Sequence, residues 1–187
     1  PLLAGYEAPL KAPVLPAAAI AQEASGAGAA AGSESTPFVD TKTISLYVDG
    51  NARGNLGLGG WGVFAVFEDS SRKTIELCGG ERNATNNMME LRAAIEGLKI
   101  IQDGFRATVF SDSEYVCKGI SNWIYGWKNK GWKTKEGAEV KNKDLWIELD
   151  SLHHRTKAKF VLINGQDGNS GNARASDLSK AGVAQVS

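Results

Sequence analysis

The apolar residues of this chain switch from strand spacing to helical spacing after three strands, and this switch limits the folds that the chain can adopt. TISLYVDG, residues 43–50, alternates apolar and polar positions, which predicts a strand with one buried face. GWGVFAVFED and KTIELCGG predict two more strands, joined by a turn at 69–73, in an antiparallel meander. The helical stripe that follows ends near Gly104 and consists of Leu91, Ala94, Ile95, Leu98 and Ile101. The pattern predicts an α/β domain.

The remaining elements continue this alternation of strands and helices. They are a strand at 107–111, a helix at 113–128 with a break near Gly119, a polar stretch at 129–142, a helix at 144–153, a strand at 158–163 and a short helix from about Arg174. The predicted order is βββαβααβα, which is typical of a five-stranded mixed sheet with three antiparallel strands, parallel additions and flanking helices.

Composition divides the chain into two regions. Residues 1–42 are rich in Ala, Gly, Pro and Ser, with the stretch AAAIAQEASGAGAAAGSES, and show no periodicity that could close a core. We therefore predict a tail or linker that is flexible alone. Residues 43–183 are long enough for one domain with its own core.

Charge and cysteine content restrict the partners and the surroundings. The 21 Lys and Arg residues balance 21 Asp and Glu residues, so a polyanion must be attracted by a local patch. No apolar run approaches the roughly 18 residues of a membrane span, so no membrane partner is expected. Cys78 and Cys117 fit neither a CxxC pair nor a disulfide framework, which favours an intracellular, reducing compartment. Cytoplasm, nucleus and organelle all remain open.

Acidic residues stand where predicted elements begin or end. Asp49 ends the first strand, Glu90 lies in the first turn of the long helix, and Asp112 follows the fourth strand; Asp177, in the last segment, is a fourth candidate. If strands one and four are neighbours, the two strand-end aspartates lie side by side and repel each other unless divalent cations neutralise them. Ligands that are all oxygen favour Mg²⁺ or Mn²⁺ over zinc. Two such ions can activate water and stabilise a leaving oxygen.

A lysine-rich stretch supplies the local positive patch. Residues 118–143 hold seven lysines and only two acids, interleaved with Trp123, Trp127 and Trp132. Lysines at this density predict salt-dependent binding to a nucleic-acid backbone, independent of base sequence. The alternative is a solvated loop stabilised by tryptophan packing, since tryptophans four and five residues apart can be core as easily as a stacking platform.

Five segments in this order resemble type 1 ribonuclease H of the bacterial kind, with its basic protrusion: YVDGNARGNLGLGGWG, TNNMMELRAAIEGL, FSDSEYVCKGI, NWIYGWKNKGWKT and VKNKDLWIELD. The resemblance spans roughly residues 43–181 and implies the ribonuclease H-like fold. It also implies endonucleolytic hydrolysis of the RNA strand of an RNA·DNA hybrid by two Mg²⁺ ions, with Mn²⁺ as a substitute. The products would carry 3′-hydroxyl and 5′-phosphate ends.

The same resemblance implies catalytic and metal-binding roles for the four acids. Asp49 would bridge both ions, and Glu90 and Asp112 would complete the ion on the leaving-group side. Asp177 would help to hold the ion that positions the attacking water.

Substrate contacts are implied in the same way. Asn55, Asn86 and Asn87 match residues that reach the minor groove of the hybrid, where 2′-hydroxyls distinguish RNA from DNA. Thr85 or Asn86 is also in position to cap the helix, and a capping role is compatible with a role in substrate binding. The protrusion would bind the DNA strand through Trp123, Trp127, Lys128, Lys130, Trp132 and Lys133.

Departures from the family pattern concentrate near the carboxyl end. Gln166 stands where the family usually has a histidine, and glutamine does not titrate near neutral pH. Five residue steps separate Asn172 from Asp177, where the family usually has four. One extra residue turns a helix by about 100°, so Asp177 reaches the metals only if the loop absorbs the insertion. In addition, Met88 replaces a commoner basic residue and Glu114 adds an acid near the site.

These departures keep a second hypothesis open. The chain would then be a catalytically weakened or inactive module that binds nucleic acid or serves as a structural part of a larger ribonucleoprotein assembly, such as an organellar ribosome. Its tail would contact RNA or protein subunits of that assembly. A third reading is a domain from a polymerase-linked or transposon polyprotein, with the tail as its linker.

Overall fold

The computed structural model describes residues 42–69 and 72–187. These residues contain five strands: β1 (Thr43–Ala52), β2 (Gly57–Phe67), β3 (Thr74–Ala84), β4 (Arg106–Ser111) and β5 (Lys159–Leu162). They form one sheet in the order β3-β2-β1-β4-β5. The predicted tail lies outside the described residues apart from Lys42, and so does part of the predicted turn between β2 and β3.

The pairing of the strands confirms the predicted mixed sheet. β1, β2 and β3 form the antiparallel meander. β4 pairs in parallel with β1, and β5 in parallel with β4. Because β1 and β4 are parallel neighbours, their carboxyl ends meet at the same edge of the sheet, as the interpretation of the acidic residues required.

The helices follow the predicted order. They are α1 (Asn86–Lys99), α2 (Glu114–Lys118), α3 (Ile124–Asn129), α4 (Lys143–Thr156) and α5 (Ser170–Gln185). A π-helical turn, Gly119–Trp123, joins α2 to α3, so the predicted break near Gly119 is present. A side chain at Gly119 would overlap the Trp146 ring, which explains the glycine where the backbone and this ring approach closely.

Two predicted helix ends are wrong. The first helix ends at Lys99 rather than near Gly104, although Ile101 beyond it is still buried. The last helix begins at Ser170 rather than near Arg174. Its start is set by Asn169, whose side chain accepts hydrogen bonds from the N–H groups of the second and third helical residues.

Helices α1 and α5 cover opposite faces of the sheet. Leu46 and Val48 of β1 point to one face and pack with the apolar stripe of α1 in the main core. On the other face, Gly60 and Gly62 of β2 allow a close approach, since a Cβ atom at either position would overlap the α5 backbone. Asp49 is next to Val48 in the strand and therefore faces α5.

Neither a disulfide nor a membrane-spanning helix occurs among the described residues. Cys78 and Cys117 are free thiols, as their spacing predicts. Burial, reinforced by the nearby Glu90 and Asp112 carboxylates, raises the pKa of Cys117 to about 11, so this thiol is inert at neutral pH. None of the described helices combines the length and hydropathy needed to cross a bilayer.

Candidate active site

Three of the four predicted acids converge at the edge where β1 and β4 end. Asp49 lies in β1, Glu90 lies just after the first turn of α1, and Asp112 directly follows β4. Two predicted positions are therefore slightly wrong, because β1 continues to Ala52 and the first turn of α1 contains no acid. One carboxylate oxygen of each lies within 4.8 Å of the others. Gly50 makes this possible, because a Cβ atom there would overlap the α1 backbone at Glu90. The three acids line an open cleft of about 510 Å³ together with Gly50, Asn51, Asn86, Ser113 and Ser176.

Glu90 is the most buried of the three acids, with 5% of its surface exposed. Burial, and then the charges of Asp49 and Asp112, raise its pKa well above the usual range, while a backbone hydrogen bond from Gly50 opposes the shift. Its Oε2 atom has no hydrogen-bond partner among the described residues. A buried carboxylate oxygen without a partner is costly unless a cation binds it, so this observation favours a metal ligand.

Asp49 contacts α5 through Ser179, and its neighbour Gly50 lies against the α1 backbone. Burial raises the pKa of Asp49, hydrogen bonding from Ser179 lowers it, and the charge of Asp112 raises it further. The Ser179 hydroxyl donates to Asp49 Oδ2 at 2.5 Å. One oxygen of Asp49 therefore already has a neutral partner on α5.

Asp112 is held in place by residues from the carboxyl-terminal part of the chain. Its Oδ2 accepts a hydrogen bond from Asn172 Nδ2 at 3.3 Å, and Gly165 packs against the same carboxylate. Gln166 is exposed in the loop beside Gly165, with its backbone N–H bonded to the Asn164 side chain. The loop that carries Gln166 thus borders the site.

The structure does not bring Asp177 to the other three acids, which corrects the prediction for this residue. Its side chain is 64% exposed and lies 3.6 Å from Lys180 on the same helix. Ser176, four residue steps after Asn172, lines the cleft instead. Asn172 and Asp177 belong to one continuous helix, so no loop between them can absorb an extra residue. At the family spacing of four residue steps after Asn172, this chain therefore has a serine that faces the cleft. The acid is the next residue, about 100° away around the helix.

Sequence reasoning missed Ser176 and Ser179 as parts of the site. Two signals were available for them. Ser176 has the four-step spacing from Asn172, and Ser179, three residues later, lies on the same helical face. Neither serine could be placed without knowing where α5 begins and which face it presents to β1.

Of the three predicted minor-groove residues, Asn86 lines the cleft. Asn55, Asn86 and Asn87 are all exposed. Thr85, rather than Asn86, caps α1 by accepting from the Met88 N–H. Asn86 Oδ1 accepts from the Ala52 N–H at 3.3 Å and so ties the start of α1 to the end of β1. Its amide nitrogen stays available at the rim of the cleft.

Residues 118–143, here called the basic segment, are divided between packing and exposure. Trp127 and Trp132 are partly buried against the core, whereas Trp123 is 40% exposed. Lys128 pairs with Asp150 at 2.7 Å, Lys118 with Glu114 and Lys143 with Glu139. Within the described ranges the ion pairs involve neither Lys130 nor Lys133, and both lysines are exposed. Trp146 of α4 is completely buried in the core.

Comparison with known proteins gives one consistent family. The family model for RNase H matches residues 41–184. Ribonuclease HI of Neisseria meningitidis serogroup B is 46% identical over 146 residues, which cover 78% of this chain and 99% of the relative. Ribonuclease H of Pseudomonas entomophila is 46% identical over 144 residues, which cover 77% of this chain and 95% of the relative.

Solved structures agree with the sequence relatives. The crystal structure of LC9-RNase H1, described as a type 1 RNase H with the type 2 active-site motif, superposes with a TM-score of 0.70 at 27% identity and covers 80% of this chain and 75% of that one. The structure of LC11-RNase H1 in complex with an RNA/DNA hybrid has a TM-score of 0.55 at 25% identity, covering 76% of this chain and 98% of that one.

Proposed function

The chain belongs to the ribonuclease H family, enzymes that hydrolyse the RNA strand of RNA·DNA hybrids, and we propose that Asp49, Glu90 and Asp112 carry this reaction by holding divalent cations. The observation that supports this assignment is their convergence within 4.8 Å around an unpartnered, buried Glu90 oxygen. Three acids from distant elements would destabilise the fold through mutual repulsion unless a bound cation offset it. This makes a purely structural module the less favoured reading.

The donor set fits Mg²⁺, with Mn²⁺ as a substitute. All three side chains offer oxygen ligands, and the described part of the cleft contains no histidine or cysteine side chain. When bound, two such cations would supply Lewis-acid activation of water and stabilisation of the leaving oxygen. Asp49, Glu90 and Asp112 would hold these cations.

The chain's own residues prepare this site. Gly50 donates its backbone N–H to Glu90 and holds one carboxylate oxygen while the other stays free. Asn172 and the close packing of Gly165 hold Asp112 in place. Ligands held in this way need little rearrangement when the substrate arrives.

The substrate surface extends from the cleft to the basic segment. Asn55, Asn86 and Asn87 would contact the minor groove of the hybrid, where the RNA strand exposes its 2′-hydroxyls. Exposed Lys130 and Lys133 would bind backbone phosphates of the DNA strand, and exposed Trp123 offers an aromatic face. Lys128, Trp127 and Trp132 contribute mainly by shaping this surface, since each is engaged within the protein.

Cleavage of an end-labelled hybrid by the complete chain, with Mg²⁺ and with EDTA, tests the proposal. We expect metal-dependent cuts in the RNA strand alone, leaving 3′-hydroxyl and 5′-phosphate ends, and no cleavage of duplex DNA. Asp49→Asn should reduce the rate by at least about a hundredfold, because one of the three charged ligands is lost. Asp177→Asn is the matched control and should retain the rate. Equal rates for Asp49→Asn and the unmodified chain would reject the assignment.

A further inference from the structure

The active-site cleft is chemically asymmetric. Glu90 presents a carboxylate from α1 and Asp112 presents one from the end of β4, and one Glu90 oxygen is buried without a partner among the described residues. On the α5 side, the cleft presents Ser176, and Asp49 Oδ2 accepts a hydrogen bond from Ser179. Helix α5 therefore offers hydroxyl oxygens to the cleft, whereas α1 and the end of β4 offer carboxylates.

The orientation of α5 maintains this asymmetry. Ser179 is fully buried, and its Oγ also lies 2.8 Å from the Ser176 carbonyl oxygen, within the same helical turn. Gly60 and Gly62 seat the α5 backbone directly on β2, so a rotation that brought Asp177 inward would break this packing. The nearest acid on α5 thus stays at the surface beside Lys180.

The charge of the cluster differs when one cation and when two cations are bound. When ionised, the three carboxylates carry three negative charges, and one divalent cation leaves a single negative charge. A second divalent cation would make the cluster net positive, so its binding depends on negative charge brought by a substrate phosphate. Neutral hydroxyl ligands on α5 do not offset this cost, whereas a fourth carboxylate would make the cluster with two cations neutral.

We propose that Ser176 makes the α5 side a neutral, weak half-site for a divalent cation, and that this residue sets the cation concentration which the protein requires. This inference rests on the proposed function. In it, the free protein binds one cation tightly through the three acids. The half-site, formed by Asp49 and the Ser176 hydroxyl, fills only when a hybrid phosphate supplies the missing charge. Ser176 touches this position itself, whereas Ser179 acts as a positioning residue by orienting Asp49.

A swap of two adjacent residues tests this without changing the composition or the net charge. The double variant S176D/D177S moves the acid by one position, from the surface to the cleft. Binding of Mn²⁺ to the complete chain, without nucleic acid, would be followed by isothermal calorimetry and by the electron paramagnetic resonance of free Mn²⁺. We expect one tight site in the unmodified chain and a second site in the swap variant, with an affinity gain on the order of tenfold or more for the second ion.

Two single variants test whether the effect of the swap comes from placing a carboxylate in the cleft. Asp177→Ser alone should bind Mn²⁺ as the unmodified chain does. Ser176→Asn supplies a neutral oxygen and should not create a second tight site. Thermal unfolding checks that each variant is folded. If the swap variant binds the same number of ions with the same affinity as the unmodified chain, the neutral half-site is overturned.

Cleavage as a function of Mg²⁺ concentration provides a second readout that does not require the swap variant to fold. Ser176→Ala, which removes only a hydroxyl group, should raise the Mg²⁺ concentration for half-maximal rate by about threefold or more. The swap variant should lower it. If the unmodified chain cleaves hybrids and all variants share its Mg²⁺ dependence, the inference fails while the proposed function stands. If neither the unmodified chain nor any variant cleaves, the proposed function fails, and the role of Ser176 in setting the required cation concentration fails with it.

Discussion

Glu90 carries the least compensated charge of the active site. It is nearly fully buried, it faces two other carboxylates, and one of its oxygens has no hydrogen-bond partner among the described residues. Its place near the start of α1 follows from the apolar stripe of the sequence, which predicted an acid in the first turn, one residue earlier than the structure has it. Its burial and the direction of its pKa shift do not follow from the sequence, because they depend on Asp49 and Asp112 arriving from other elements.

Replacing Glu90 by Gln should stabilise the metal-free protein. The pKa of Glu90 is raised in the folded state, so the unfolded chain loses this proton at lower pH than the folded chain does. The free energy of unfolding therefore falls as pH rises from the ordinary value of 4.5 through the raised pKa, and the variant lacks this loss. We expect a gain of about 0.5–2 kcal/mol at pH 7 in EDTA, measured by urea denaturation.

The control for this prediction is Glu96→Gln on the same helix, whose carboxylate pairs with Lys99 and faces none of the three acids. Added Mg²⁺ should raise the melting temperature of the unmodified chain and shift the Glu90→Gln variant much less, because the variant has lost a ligand. A Glu90→Gln protein that is less stable than the unmodified chain at pH 7 in EDTA would contradict the account of an uncompensated charge.

At the scale of elements, the start of α5 explains which of its residues reach the cleft. The sequence predicted the helix but not its first turn, because Ser170 and Gly171 are weak helix formers. Asn169 compensates by accepting two backbone N–H groups, and this cap extends the helix back over Asn172. Once Asn172 is helical, Ser176 lies one turn later on the side that faces Asp49, and Asp177 faces solvent.

Asn169→Ala should therefore weaken both the fold and the site. Loss of an N-cap costs about 1 kcal/mol of the free energy of unfolding, which chemical denaturation would detect. Fraying of the first turn would also loosen Asn172 and its hydrogen bond to Asp112, so hybrid cleavage should fall as well. Ser170→Ala is the matched control, with a smaller effect on both. If Asn169→Ala and Ser170→Ala had equal stability, the capping role of Asn169 would be rejected.

In the basic segment, the number of lysines overstates the number of free positive charges. Sequence alone predicted a patch of seven lysines, and the structure shows three of them paired with Glu114, Asp150 and Glu139. Trp127 and Trp132 pack against the core while Trp123 stays exposed, so the platform and core hypotheses each describe part of the segment. Lys118 and Lys143 each pair with an acid four residues earlier, which local spacing can predict. The Lys128–Asp150 pair and the packing of Trp127 on Trp146 depend on α4, which the local sequence of the segment does not contain.

Replacing Lys130 and Lys133 together by Ala should flatten the salt dependence of hybrid binding. Each lost phosphate contact reduces the slope of log affinity against log salt concentration by about 1, so the double variant should lose about 2. Lys118→Ala is the control, because that lysine is paired with Glu114 one turn earlier on α2. Fluorescence anisotropy of a labelled hybrid in Ca²⁺ gives the slopes, and an unchanged slope would remove these lysines from the binding surface.

At the scale of the whole molecule, all the residues assigned to the site lie in 42–187. The total charge is zero, so attraction of a hybrid depends on the separation of the acidic cleft from the basic segment rather than on a net field. The predicted linker role of the first 42 residues stays a prediction. It rests on a composition that is rich in Ala, Gly, Pro and Ser and lacks apolar periodicity.

Removal of residues 1–41 should leave hybrid cleavage and its Mg²⁺ dependence within about twofold of those of the complete chain. The reason is that the cleft and the basic segment are built entirely from later residues. Steady-state kinetics of the two proteins on one hybrid would measure this. A loss of tenfold or more would show that the tail contributes to substrate binding or to the stability of the domain.

The sequence by itself determined the local periodicities, and with them the strands, most helix positions and the placement of acids near the carboxyl ends of β1 and β4. It could do so because strand alternation, helical stripes and strand-end positions are set by neighbouring residues. Only the tertiary structure decided that Ser176 rather than Asp177 faces the acids, that Glu90 is buried without a full set of partners, and which lysines stay unpaired. Each of these depends on how one element rotates and docks against another, and a difference of one residue in a helix turns a side chain by about 100°.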